Sequence, residues 1–212
     1  MIDESVRIFD ENRIPIGVAS RDEAHRVGHW HEVFQCWFVR KEEGVKQVYL
    51  QLRSSLKKDF AGLYDITAAG HLMADESVKD GVREIEEELG VPVSYEELHP
   101  LLVMNASIKQ DSFLDNEIAN IFLFEYNQSF DTFDLQKEEV AGIVQADFEA
   151  FYDFWMGKQT DLHVEGFWFN HNGERKNLNQ KIGKRHFVPH ESSYYETIVK
   201  EMMKYFNQIE DR

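Results

Sequence analysis

Three glutamates, Glu84, Glu87 and Glu88, stand at i, i+3 and i+4 in the run Arg83-Glu84-Ile85-Glu86-Glu87-Glu88-Leu89-Gly90. On a helix that spacing lets their carboxylates converge on one point. Val78, Val82, Ile85 and Leu89 recur at spacings of four, three and four and so predict one apolar face. At about 100° per residue the three glutamates fall in a separate sector. Ser77 with Asp80 supplies a start signal for this helix, and Gly90 followed by Pro92 a stop signal. Local energetics oppose the arrangement. Glutamates near a helix C-terminus cost roughly 0.3–1 kcal/mol each, and like charges at i, i+4 add a similar penalty. Bound divalent ions reverse that sign, because hard cations prefer carboxylate oxygens, and a cation held this way suits phosphate chemistry. Without a cation, the same pattern reads as a solvated acidic helix face.

The elements that must position this helix are largely strands. Residues 5–19 alternate around Asp10-Glu11-Asn12-Arg13 and predict a hairpin. Residues 33–39 and 47–52 predict strands joined by the turn Lys41-Glu42-Glu43-Gly44. Tyr64 to Ala69 predicts a short strand leading into the helix, and Leu101 to Ile108 and Ile118 to Tyr126 predict two more. Helical patterns follow over about 137–156, with Phe148, Phe151 and Trp155 on one face, and over about 192–208, with Tyr195, Ile198, Met202 and Phe206. Residues 160–190, with Gly166, Gly173, Gly183 and Pro189, read as irregular. A mixed sheet sandwiched between helices is the natural architecture.

At 212 residues the chain is the size of one ordinary domain with a small helical appendage. A formal charge of −16 argues against a nucleic-acid backbone as main partner, whereas a nucleotide-sized ligand whose charge a metal masks remains compatible. The single cysteine, Cys36, lies inside a predicted strand and reads as a small buried hydrophobe. No apolar run is long enough to span a bilayer and Met1 precedes a polar stretch, so a cytoplasmic protein without a membrane partner is expected.

Gly70, Glu76 and the run Arg83 to Val91 resemble the Nudix box of Nudix hydrolases, G-x5-E-x7-R-E-U-x-E-E-x-G-U with U aliphatic. All nine final positions fit, but six residues separate Glu76 from Arg83 where the pattern has seven. The shortening puts the partner of Arg83 in question, Glu76 being the first candidate and Asp75 the second. The flanks, Gly28-His29-Trp30-His31, Tyr49 to Ser54 with Lys57, Gly62 to Ile66, Ala68-Ala69-Gly70-His71 and Asp115-Asn116-Glu117, are similar to the branch related to type I isopentenyl-diphosphate isomerase. Such isomerases rely on a cysteine just before the box, where this chain has Thr67-Ala68-Ala69-Gly70.

The resemblance implies an α/β (α+β) Nudix fold with a helical C-terminal extension. Residues 1–28 would form an N-terminal hairpin extension, 29–158 the Nudix core, and 159–212 an irregular segment and helix packed on it. It implies a diphosphohydrolase using Mg2+ or Mn2+ held by Glu84, Glu87, Glu88 and the carbonyl of Gly70. Arg83 and Glu76 would hold the loop–helix geometry. The base is expected to be Glu87 or Glu84, with Glu117 or Glu139 the second choice. Arg53, Lys57 and His31 are candidate receivers of a small-molecule diphosphate substrate, and a homodimer is compatible with the family. Two other readings stay open: an isomerase-like enzyme, opposed by the missing thiol, and a ligand-sensing Nudix domain without catalysis.

Overall fold

A computed structural model describes residues 4–42, 44–110 and 113–210; Glu43 of the predicted turn lies outside the described residues. Among the described residues eleven strands form one sheet, its main path running β11-β10-β9-β4-β3-β1-β2. β1 (Ser5–Phe9) and β2 (Pro15–Ser20) make the expected hairpin, and the short α1 (Arg21–Val27) follows, capped by the Ser20 hydroxyl. β3 (Trp30–Glu42) is the organising strand: it pairs antiparallel with β1, with β4 (Val45–Arg53) and with β6 (Ala68–His71), and parallel with β8 (Phe113–Glu125). β5 (Tyr64–Asp65) adds to β4, and β7 (His99–Gln110) to β8. The sheet is therefore mixed, as expected.

Side chains alternate across β3, and each face of the sheet carries its own core. Val33, Trp37 and Val39 join Phe148, Phe151 and Trp155 of α3 (Phe148–Trp155), and Tyr195, Ile198, Met202 and Phe206 of α4 (Ser192–Glu210). Phe34, Cys36 and Phe38 face the other way and pack against Ile85 and Leu89 of α2 (Arg83–Leu89), with Val78 and Val82 at the margin. Cys36 is fully buried there.

Two expectations need correction. The helix read over 137–156 is a strand followed by a short helix: β9 (Val140–Asp147) lies between β4 and β10, and α3 starts only where Asp147 accepts from the Ala150 amide. Val140, Ile143, Val144 and Ala146 are all buried, because a central strand is covered on both faces and so shows no two-residue alternation. The segment 160–190 is not irregular either, since β10 (Leu162–Phe169) and β11 (Arg175–Ile182) form a regular hairpin on β9. Gly166 belongs to that pairing rather than breaking it: a Cβ there would stand 2.2 Å from the Ile143 carbonyl oxygen.

Candidate active site

The box segment leaves β6, turns through Leu72 to Lys79, and enters α2 by a 3-10 turn at Asp80–Val82. A 3-10 turn rises about 2.0 Å per residue, against about 1.5 Å for an α-helix. The tighter winding recovers part of the length that the missing residue removes. Arg83 consequently reaches its partner: Nε lies 2.6 Å from Glu76 Oε1 and Nη2 3.0 Å from Oε2, so Glu76 rather than Asp75 holds it. Glu76 also accepts from the Met73 amide at 2.8 Å, and Arg83 Nη2 donates to the His71 carbonyl at 3.1 Å. These bonds tie the loop, the strand end and the helix into one unit.

Glu84, Glu87 and Glu88 differ in surroundings. Glu88 is buried and accepts from the Ala69 amide at 3.2 Å and from Gln51 Nε2 at 3.3 Å. Half-buried Glu84 meets Arg83 Nη1 at 2.6 Å, and exposed Glu87 meets the same nitrogen at 3.0 Å. Burial raises the carboxyl of Glu84 to about 7 and that of Glu88 to about 8, the second helped by the negative charge of Glu84. Gly70 is pressed against this group: a Cβ at that position would lie 2.1 Å from Glu84 Cδ. Crowded, poorly compensated carboxylates beside a bare backbone fit an oxygen-coordinated divalent cation.

The next residue along β6 faces the opposite side. His71 meets His25 of α1, His31 of β3 and Asp115 of β8, with one donor atom from each lying within 4.8 Å of the others. His25 Nε2, His31 Nε2, His71 Nε2 and Asp115 Oδ1 all lack a hydrogen-bond partner. The shortest approaches to Asp115 Oδ1 are 3.2 Å from His25 and 3.5 Å from His31, without the alignment of a hydrogen bond. Four orphaned, sequestered polar atoms aimed at one another call for a shared partner. Burial holds His31 below and His71 well below the usual imidazole range, which keeps them neutral and competent as ligands. His31 Nδ1 lies 3.0 Å from the His29 carbonyl, an arrangement that leaves Nε2 for a metal when Nδ1 carries the proton. Three imidazoles and one carboxylate suit a transition metal such as zinc or manganese.

His31 is thus fully buried within a ligand cluster, not displayed to a phosphate as expected. Glu117 is its cross-strand neighbour, half-buried, with Oε2 accepting from Gln35 Nε2 at 3.1 Å. Burial and the carboxylates of Asp115 and Asp65 push Glu117 well above the usual range. Arg53 is committed to Asp65 at 2.8 Å and to the Asp59 carbonyl at 3.0 Å. Lys57 and Glu139, expected separately, pair with each other, and the Lys57 charge acts on both Glu88 and His71.

The sequence reading gives no site role to His25, His71, Asp115, Gln35 or Gln51, although His71, Asp115 and Gln51 lie in the segments that carry the resemblance. Signals existed for two of them: His71 directly follows the box glycine, and Asp115 shares a strand face with Glu117 two residues on. Register does the rest, through Val33 opposite His71 and His31 opposite Glu117.

The chain matches no protein-family model. An uncharacterised Nudix hydrolase of Clostridium acetobutylicum is 33% identical over 203 residues, covering 96% of this chain and 98% of that protein. Nudix hydrolase 3 of Arabidopsis thaliana is 32% identical over 192 residues, which are 87% of this chain but 24% of that longer protein. An isopentenyl-diphosphate delta-isomerase of Photorhabdus laumondii is 28% identical over 125 residues, 57% of this chain and 68% of the isomerase. Among solved structures, DR0079 of Deinococcus radiodurans shares the fold at a TM-score of 0.56 and 17% identity, over 74% of this chain and 91% of that one. With the box geometry intact and one relative alike from end to end, the chain belongs to the Nudix hydrolase family.

Proposed function

We propose that this protein is a metal-dependent hydrolase of small organic diphosphates, cleaving the anhydride by water attack on phosphorus. The observation that carries this reading is the box geometry, with Glu84 and Glu88 crowded against β6 while Arg83 stays clamped to Glu76. Glu84, Glu87, Glu88 and the Gly70 carbonyl would hold Mg2+ or Mn2+. A cation there supplies charge neutralisation of the diphosphate and Lewis acidity toward the phosphoryl oxygen and the attacking water.

The chain's own groups do the remainder. Glu84 or Glu87 takes the proton of the attacking water. Glu139 is less suited to that role, because Lys57 already occupies its carboxylate. Lys57, whose charge acts on both Glu88 and His71, is the basic residue best suited to receive a phosphate once Glu139 releases it. Arg53 serves by fixing Asp65 rather than by meeting substrate. Glu117 and the histidine cluster form a second centre that orients the substrate's reacting end.

The isomerase reading is favoured by the 28% identical relative and opposed by Ala69, whose strand partner is Gln35 beside Glu117, so no thiol stands there. The test is a magnesium-dependent phosphate-release screen over nucleoside diphosphate sugars, dinucleotides, nucleoside triphosphates and prenyl diphosphates. We expect turnover of at least one class, abolished by Glu87→Gln. Full turnover in that variant would contradict the mechanism, and tight binding of one ligand without turnover would favour a sensor.

A further inference from the structure

The C-terminal helix reaches the second centre through one hydrogen-bonded chain. Tyr194, in the first turn of α4, is fully enclosed and donates its hydroxyl to Gln35 Oε1 at 2.7 Å. Gln35 is buried on β3, and its Nε2 donates to Glu117 Oε2 at 3.1 Å. The three residues come from distant parts of the chain, Tyr194 and Gln35 being 159 residues apart. A carboxamide has one acceptor end and one donor end, and rotation by half a turn exchanges them. With the Tyr194 hydroxyl donated to the oxygen, the NH2 end faces Glu117, whose Oε2 accepts from it.

We infer that Tyr194 is a positioning residue for Glu117: by fixing the orientation of Gln35, it holds that carboxylate beside the histidine cluster. The C-terminal extension is on this view part of the active site and not only a cover for the core. Its other contacts support the placement. The Tyr194 ring stacks on His190 at 4.3 Å and lines, with Trp30, Met104 and Ala106, a small pocket. Ala106 is the β7 partner of Glu117, so the pocket lies beside that position of the sheet. Tyr194 thus borders that pocket and gives its hydroxyl to the chain leading to Glu117.

The functional consequence rests on the proposed hydrolase reading, in which Glu117 serves turnover; the orientation of Gln35 does not. Tyr194→Phe deletes only the hydroxyl and keeps the stacked ring. Two readouts separate the cases. The first is the Gln35 side-chain amide signal in a 15N-correlated NMR spectrum, assigned by its loss in Gln35→Met. We expect Tyr194→Phe to shift that signal and to speed its exchange with water by about tenfold, the effect of losing one ordinary buried hydrogen bond. An unchanged signal and exchange rate overturns the positioning role, whatever the substrate is. The second readout is kinetic, on the substrate the screen identifies. Tyr194→Phe should lower kcat about tenfold with KM unchanged, and should cost nothing further in the Gln35→Met background. The same proportional loss in both backgrounds overturns the chain of action. If Glu117→Gln retains full turnover while the amide signal responds as expected, the hydrolytic role of the second centre fails and the positioning stands.

Discussion

On one face of β6 the box carboxylates come from five consecutive residues, Glu84 to Glu88, and lie against Gly70 and the Ala69 amide. On the other face His25, His31, His71 and Asp115 arrive from α1, β3, β6 and β8. The first group is a product of helical spacing and the second of sheet register. They also differ in chemistry. An all-oxygen set favours hard cations that keep water in their shell, whereas three imidazoles favour borderline transition metals. Consecutive residues of one strand, Gly70 and His71, therefore face two candidate centres that would differ in metal preference, and the Lys57 charge acts on both.

Substitutions on one face should leave the other intact, which makes the division testable. The largest effect is expected from Glu84→Gln. Losing a charge of the cation site should lower magnesium-dependent kcat by on the order of 10²–10³, comparable to removing a main electrostatic stabiliser of a transition state. Zinc affinity at the histidine cluster, read by equilibrium dialysis, should stay within about twofold of the parent, as expected for separate sites. Parallel loss of both properties would merge the two centres into one.

His71→Ala is the reciprocal experiment. Zinc affinity should fall by more than about 100-fold, since even outer-shell partners of metal ligands are worth about 10–100-fold. Magnesium affinity at the box should hold, as measured in the presence of saturating zinc chelator.

Gly70→Ala sharpens the comparison with less disruption. The added methyl would meet the Glu84 carboxyl at 2.1 Å, and this flexible side chain moves aside more easily than backbone. We expect magnesium-dependent turnover to fall about tenfold or more while stability changes by less than about 1 kcal/mol, because the fault is misplacement of a charged group and not loss of packing. A collapse in Tm with unchanged specific activity would show that Gly70 serves packing alone.

The smallest effect concerns pH. In the metal-free protein Glu84 titrates near 7 and Glu88 near 8, both above their ordinary value of 4.5. Below 4.5 both are protonated whether the chain is folded or not. Between 4.5 and about 8 the unfolded chain releases protons that the folded chain keeps, so these two groups lower stability as pH rises through that window. Urea denaturation should show this decline flattened in Glu84→Gln with Glu88→Gln. Magnesium at about 100 times its Kd should restore about 2.7 kcal/mol at pH 8 in the parent only. A metal-free parent that loses no more stability than the variant as the pH rises from 4.5 to 8 would contradict the assignment.

The contrast between the two faces also explains what the sequence made legible. The box was readable because its whole geometry is local: spacing on a helix, a glycine and one arginine. The partner of Arg83 is legible too, Glu76 being the first candidate in the sequence and the residue that holds Arg83 in the structure, but the 3-10 turn that joins the two across the six-residue spacing is announced by no side chain. The histidine cluster was hidden for a different reason. Its members are brought together by strand pairing, and a lone histidine on a strand looks the same whether it is a ligand or core. Strand β9 does not look like a strand in the sequence, because burial on both faces erases the alternation that identifies one. Gly166, read as a breaker, is a close approach between paired backbones.

The most direct test of hydrolysis at the box is isotopic. With the substrate found by the screen, turnover in 18O-labelled water with magnesium should place one label in a released phosphate group, observed by 31P NMR, and Glu87→Gln should abolish the labelled product. Conversion of the substrate without label in phosphate, or undiminished labelling in Glu87→Gln, would contradict water attack on phosphorus directed by the box glutamates.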